Sequence, residues 1–390
     1  MDKFKERICR YCKGTNTKKG DQLFRTKGNS IICNTCMSLY EANYLFEFKD
    51  TEVIKKEAMP KPMEIKAELD KYVIGQEKAK QVLSVALVNH LKKAKICVQE
   101  KVNLDKSNVL LLGPTGCGKT FLIKHLAKIA GVPLVQADAT SLTSAGYVGR
   151  DVEDVISDLY KAANCNKDIT EIGIVYIDEI DKIKSIEGSG LDVGGTCVQQ
   201  GLLKIIEGCE VEVEVGRGMA KRKETIDTKN ILFIFSGSFA GIEKNIDERL
   251  SKKSSIGFEA KRLRGEKSQD LNKDIILDDL VNFGMIPEFI GRIPLVVALK
   301  ELTTKQLVSV LKDTKNNLMD HYRRLFKEDN ININFDDKAL EKIAQVSKER
   351  GTGARGLRAI FENSLLPMMF KAPSTNRRNI TLKEKDIRND

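Results

Sequence analysis

Gly113-Pro114-Thr115-Gly116-Cys117-Gly118-Lys119-Thr120 spells G-x-x-x-x-G-K-[ST]. In such a loop the glycines let the backbone fold tightly enough for successive N–H groups to point at a phosphate. An apolar run, Asn108–Leu112, precedes it and an amphipathic run, Thr120–Ala130, follows. The loop therefore lies between a strand and a helix N-terminus, where backbone donors and the helix dipole favour an anion. In that setting Lys119 reaches the β- and γ-phosphates and Thr120 holds Mg²⁺. Pro114, Thr115, Gly116, Cys117, Gly118 and Phe121 complete the candidate contacts with the nucleotide.

Some sixty residues on, Ile174-Val175-Tyr176-Ile177-Asp178-Glu179 brings two carboxylates to the end of a second apolar strand. Ligands bind there in open α/β sheets. Asp178 is placed beside the metal and Glu179 where it polarises an attacking water; with Lys119 they give the parts that phosphoryl transfer requires. Further strands are expected at Leu134–Ala137, Ile231–Phe235 and Leu295–Leu299, and the one ending in Asp178 is expected over Ile172–Ile177. Between them lie helices such as Asp151–Ala163, with Val152, Val155, Ile156, Leu159 and Tyr160 on one face. This alternation predicts a parallel sheet in an α/β domain over residues 64–300. After residue 300, Leu302–Phe326 and Lys338–Phe370 read as helices, with one β-like stretch at Ile331–Phe335. A mostly helical small domain is expected over 301–390. Residues 51–63, with two prolines among charges, read as a linker.

Hydrophobic residues make up 41% of the 390 and charged ones 31%, with a net charge of +10. No run reaches the ~20 apolar residues of a membrane span, and the charged start, MDKFKERICRYC, is not a secretory signal. A cytoplasmic protein is expected. Lys and Glu alternate along most of the chain, which reads as solvated helix faces. Of nine cysteines, four form the pattern Cys9-x₂-Cys12-x₂₀-Cys33-x₂-Cys36. That spacing fits a closed tetrahedral Cys₄ Zn²⁺ site of structural type, in a module of about 50 residues too small to build a large core of its own. His90, His125 and His321 have neither nucleophile nor metal spacing.

The two phosphate motifs resemble those of the AAA+ superfamily, and within it the chain resembles the ClpX family of Clp-protease unfoldases from Cys9 to about Phe370. Tyr72-Val73-Ile74-Gly75-Gln76 is similar to the family's segment against the adenine, with Val73 and Ile74 as the apolar contacts. Ile286-Pro287-Glu288-Phe289-Ile290-Gly291-Arg292 resembles its arginine-finger segment; Arg292 would act in trans, which implies a ring, in this family a homo-hexamer. Gly351-Thr352-Gly353-Ala354-Arg355 resembles sensor 2, with Arg355 on the same nucleotide from the helical domain. Sensor 1 is left open between Ser236 and Ser238. Gly146-Tyr147-Val148-Gly149 matches the family's pore loop, with Tyr147 and Val148 gripping a translocating protein substrate; Arg150 stands where the family carries an acid. A second pore loop is expected near 192–200. At the entrance loop Gly216-Arg217-Gly218-Met219-Ala220-Lys221-Arg222-Lys223 replaces the family's Arg-Lys-His triplet, so the charge stays and the triplet does not. Ser255-Ile256-Gly257-Phe258 resembles the loop that docks into a ClpP-type peptidase. The resemblance further implies that the zinc module dimerises and binds adaptors and some substrates.

The implied function is ATP-dependent unfolding of proteins and their delivery to that peptidase, with no protease site in the chain itself. A nucleic-acid-acting AAA+ ATPase is the alternative; it would leave the Tyr147 and Ile256–Phe258 loops without a purpose. An HslU-type unfoldase lacks the zinc module. A zinc adaptor with a dead ATPase does not fit the intact Lys119, Asp178, Glu179 and Arg292.

Overall fold

Val109–Leu112 is buried at every position, as are the first four residues of Ile174–Asp178 and all six of Leu232–Gly237. Strands apolar on both faces need cover on both faces, and parallel sheets provide it. In the computed structural model these three strands form the centre of a five-stranded, all-parallel sheet. Its spatial order is Leu295–Ala298, Val109–Leu112, Leu232–Gly237, Ile174–Asp178, Leu134–Asp138. The structure describes residues 23–25, 31–33, 59–100, 104–143, 150–184, 195–215, 222–254, 275–375 and 378–387. The chain divides into two compact units, residues 1–55 with 212–224, and residues 56–211 with 225–390. In the first, Leu23–Arg25 and Ile31–Cys33 pair antiparallel, with Leu23 opposite Cys33.

The sheet strands run two residues or fewer from their expected ends, and two of the shifts matter for the site. The strand expected to stop at Ile177 continues to Asp178, and the one expected to stop at Phe235 continues to Gly237. Both extensions carry residues that face phosphate chemistry. The helix expected over Asp151–Ala163 spans Asp154–Ala162, and its apolar face, Val155, Ile156, Leu159 and Tyr160, is buried. The linker gives way to a helix, Pro62–Asp70, with its proline at the first helical position, where no N–H is needed.

Both helical stretches are subdivided. Leu302–Phe326 holds two helices, Thr304–Lys312 and Leu318–Glu328. Asn316 takes a left-handed φ of 61°. Asn317 then caps the second helix, its side-chain oxygen accepting from the Asp320 N–H at 2.8 Å. Lys338–Phe370 also divides, into Asp337–Glu349 and Ala354–Lys371, at Gly351 and Gly353 with φ of 65° and 53°. The β-like stretch is a strand, Asn332–Phe335, whose parallel partner, Asn379–Leu382, lies beyond the last helix. Leu307, Leu311, Leu340, Ile343, Phe361 and Leu365 form the centre of a core separate from that of the sheet. No helix among the described residues is long and apolar enough to cross a membrane.

Candidate active site

The loop at Gly113 leaves the strand Val109–Leu112 with its N–H on the Gly237 carbonyl of the neighbouring strand at 3.2 Å. Gly113, Gly116 and Gly118 have φ of 151°, 80° and 100°, conformations that L side chains rarely adopt. Gly118 caps the helix Lys119–Ala130. Lys119 is folded back on its own loop, its ammonium donating to the carbonyls of Gly113 at 2.5 Å and Pro114 at 3.1 Å. The loop is thus held shaped around a cation that a phosphate can take over.

The Thr120 hydroxyl donates to Asp178 Oδ2 at 3.1 Å, and the Ser236 hydroxyl donates to Asp178 Oδ1. Tyr176 lies between them, its hydroxyl 3.2 Å from Thr120 Oγ1 and 2.7 Å from Ser236 Oγ. Since both smaller hydroxyls give their protons to the carboxylate, Tyr176 is left as the donor to one of them. Burial, followed by the charge of Asp178, pushes the Tyr176 phenol up, so it keeps that proton. A hydroxyl and a carboxylate at hydrogen-bond distance, next to a phosphate loop, are the oxygen donors Mg²⁺ takes. Thr120 and Asp178 fit that ion.

Glu179 follows in a left-handed conformation, φ 58°, with its N–H on Asp178 Oδ1 at 3.0 Å. This turns its side chain off the strand line at the cavity wall. Of the two sensor-1 candidates, Ser236 is fully buried and bound to Asp178. Ser238 lines the cavity and is held by Asp181, through its N–H at 3.1 Å and its hydroxyl at 2.9 Å. The geometry separates the two: Ser236 holds the Asp178 carboxylate from behind, and Ser238 faces the cavity.

These groups open into one cavity of about 680 Å³. Thr115, Gly116, Cys117, Gly118, Lys119, Thr120, Phe121, Asp178 and Glu179 line it, as do Val73, Ile74 and Arg355. Pro114 contributes its carbonyl to Lys119 instead. Cys117 is buried, which pushes its thiol pKa up and leaves it a neutral wall. Arg355 stands in the first turn of Ala354–Lys371, and the Ala354 N–H donates to the Gly116 carbonyl at 3.0 Å. Arg292 is not among the lining residues. It is exposed, caps the end of the helix Pro287–Gly291, and pairs with Glu207 at 2.8 Å.

Sequence reading gave Gln76 no role, yet its side chain joins three elements. It donates to the Cys117 carbonyl at 3.2 Å and the Lys300 carbonyl at 2.7 Å, and accepts from the Lys300 N–H at 3.0 Å. Gln136 and Asp138, at the end of the outermost strand, were missed as cavity residues as well. His125, set aside in the sequence, lies between Tyr72 and Phe121, with ring centroids 4.6 and 4.1 Å away. His90 is buried, with its Nε2 at 2.8 Å from the Ile172 carbonyl.

Tyr147 and Val148, the docking residues Ile256, Gly257 and Phe258, most of the entrance loop, and Cys9, Cys12 and Cys36 lie outside the described residues; Cys33 is described only as the end of a strand. The residues on either side of 144–149 are described. Leu142–Thr143 and Arg150–Asp151 pair in parallel, and Arg150 forms an ion pair with Asp158. The Arg150 side chain is therefore engaged at the edge of that stretch. The stretch 192–200, expected to hold a second pore loop, contains the start of the helix Gly195–Glu207. The helix Ile242–Ser254 ends immediately before Ser255.

Two family models match. "AAA domain (Cdc48 subfamily)" covers residues 104–296 and "C-terminal, D2-small domain, of ClpB protein" covers 302–385. Among curated proteins, the "ATP-dependent Clp protease ATP-binding subunit ClpX" of Treponema denticola is 44% identical over 394 residues, covering 98% of this chain and 94% of the relative. The "ATP-dependent Clp protease ATP-binding subunit ClpX 2" of Wolinella succinogenes is 44% identical over 377 residues, covering 94% and 91%. With a phosphate loop, a paired acidic strand end and Arg355 lining one cavity, and with identity at this level over nearly its whole length, the chain belongs to the ClpX family of AAA+ ATPases.

Proposed function

We propose that the chain hydrolyses ATP in a homo-hexameric ring, uses the cycle to unfold and translocate protein substrates, and delivers them to a ClpP-type peptidase. The observation that carries this reading is the make-up of the cavity wall. One side comes from the sheet and its loops, and the other from the helical part through Ala354 and Arg355, with Ala354 bonded to Gly116. A nucleotide held by two packed bodies sets the angle between them, and its hydrolysis releases that angle as motion.

Lys119 exchanges its two loop carbonyls for phosphate oxygens, and Glu179 orients and deprotonates the attacking water. Mg²⁺ held by Thr120 and Asp178 supplies charge neutralisation for the phosphates. Arg292, which does not line its own cavity, serves the neighbouring subunit's site; a guanidinium there stabilises the charge that develops in transfer. Tyr147 and Val148 grip the substrate, on a loop whose ends are tied by the Leu142–Thr143 and Arg150–Asp151 pairing. Ile256, Gly257 and Phe258 dock the peptidase. Cys9, Cys12, Cys33 and Cys36 hold Zn²⁺ in a module that dimerises and recruits adaptors; thiolate spacing and resemblance support this part.

A stable fluorescent reporter carrying a panel of unstructured tails tests the reading. ATP-dependent loss of fluorescence is expected from the parent, and none from Glu179→Gln or Tyr147→Ala. Hydrolysis without unfolding on any tail, together with stimulation by DNA, would favour a nucleic-acid ATPase instead. Zinc bound per chain, before and after substitution of Cys9 and Cys12 by serine, tests the module separately.

A further inference from the structure

Helix Gly195–Glu207 meets the finger segment at two places, one near each end. Gln199 is fully buried. Its Nε2 donates to the Ile183 carbonyl at 2.8 Å, at the end of the 3₁₀ turn Ile180–Ile183 that follows Glu179. Its Oε1 accepts from the Ile286 N–H at 2.8 Å, and Ile286 caps the short helix Pro287–Gly291 that ends at Arg292. One carboxamide thus clamps the turn behind the water-activating carboxylate to the start of the finger. A buried amide satisfied at both ends fixes its partners' separation, because losing either bond would strand a polar group.

At the other end of the same helix, Glu207 Oε1 accepts from Arg292 Nε at 3.0 Å and from Nη2 at 2.8 Å. The finger backbone is anchored independently, with Asn108 Nδ2 donating to the Arg292 carbonyl at 2.8 Å. Asn108 fixes where the residue sits, and Glu207 fixes where its guanidinium points. The pair is exposed, with 57% of the Arg292 side chain and 44% of the Glu207 side chain accessible, so it contributes little to stability. Its effect lies in direction: the pair holds the Nε–Nη2 edge of the guanidinium, and Nη1 takes no part in it. A planar fork held along one side keeps its orientation better than a free side chain with four rotatable bonds.

We propose that Glu207 is the positioning residue of the trans-acting finger, aiming Arg292 at the neighbouring subunit's nucleotide while Gln199 holds the segment it extends from. The inference rests on the reading of Arg292 as a finger that works across a subunit boundary. A ring of Glu207→Ala subunits binds ATP as the parent does, because no nucleotide contact changes, but turns it over about tenfold to a hundredfold more slowly, the usual loss for a catalytic group displaced by about an ångström.

Mixing supplies the decisive readout. Lys119→Ala subunits cannot use ATP but carry an intact finger. In mixed rings that finger serves a Glu207→Ala neighbour's intact site, so hydrolysis rises well above that of either variant alone. Arg292→Ala mixed with Lys119→Ala is the control. If that control recovers activity while Glu207→Ala alone keeps the parent kcat, loses affinity for a fluorescent ATP analogue, or fails to recover on mixing, Glu207 does not aim the finger and the inference falls by itself. If the Arg292→Ala control does not recover, the trans finger falls, and this inference with it.

Discussion

The Ala354 N–H donates to the Gly116 carbonyl at 3.0 Å, so the helical part of the chain is bonded to the backbone of the phosphate loop itself. The approach is that close because Gly116 has no side chain; an added Cβ would overlap the Thr352 carbonyl. Gly116→Ala therefore meets a steric clash and a φ of 80° together. Strain of about 1–3 kcal/mol per such residue is expected, enough to weaken ATP binding by about tenfold or more. Titration with a fluorescent ATP analogue measures it; parent-like affinity would mean the two bodies can part without cost to the site.

Ser236 provides a second test. Its hydroxyl and that of Thr120 occupy the two oxygens of Asp178. Ser236→Ala strips one donor from a part-buried carboxylate, a loss of about 1–3 kcal/mol where no water replaces it. Turnover should fall about tenfold, and the Mg²⁺ concentration giving half-maximal rate should rise. Binding of ATP measured without Mg²⁺ should not change. An unaltered Mg²⁺ dependence would remove Ser236 from the metal site.

Lys80 is 2% exposed and donates to the Val73 carbonyl at 3.3 Å while pairing with Asp70 and with Glu77. Lys66 bridges the same two carboxylates. The hydrogen bonds of Lys66 and then Lys80 hold the Glu77 carboxyl below its usual range. Asp70 and Glu77 are themselves well exposed, so Lys80→Met leaves no buried charge and costs about 1–3 kcal/mol rather than the full penalty of a broken interior pair. The segment carrying Val73 and Ile74 loosens. The KM for ATP should rise several-fold with kcat nearly unchanged; the opposite split would place Lys80 in the chemistry.

Acid should act through His90. Burial, opposed by its bond to the Ile172 carbonyl and joined by the charges of Lys93 and Lys106, pushes its imidazole down to about 4. Between about 4 and the unfolded value near 6.5 the unfolded chain binds a proton that the folded chain does not. Stability contributed by neutral His90 is therefore present above about 6.5 and lost as pH falls towards 4, by up to about 3 kcal/mol. Thermal unfolding at pH 4.5 to 7 should show a steeper acid limb in the parent than in His90→Gln. Parallel curves would assign the limb to carboxylates alone.

The sheet was legible because its central strands are continuously apolar, and the nucleotide loop because its glycines are needed for backbone geometry that no other residue supplies as readily. Lys119, Thr120, Asp178, Val73, Ile74 and Arg355 line one cavity. What could not be read falls into two kinds. The breaks at Asn316 and Gly351–Gly353 interrupt patterns that stay amphipathic on both sides, and periodicity does not register a change of axis. The roles of Gln76, Gln199 and Ser236 rest on bonds to backbone or to residues far along the chain, so no local pattern marks them. Ser236 was at least a candidate, since it lies at the end of the apolar strand where the resemblance places sensor 1.

Gln76 bears on how this chain could be recombined. It lies outside both segments matched by family models, 104–296 and 302–385, yet clips the seam between them at Lys300. Both bonds from Gln76 to Lys300 are to its backbone, and position 76 needs an amide of this length that donates and accepts together; glutamate has the length but not the donors. A chimera that takes residues 302–385 from a relative inherits a sound joint provided Gln76 stays with the recipient. The residue that clips this seam is encoded 224 residues earlier, so the joint is not contained in the sequence on either side of it.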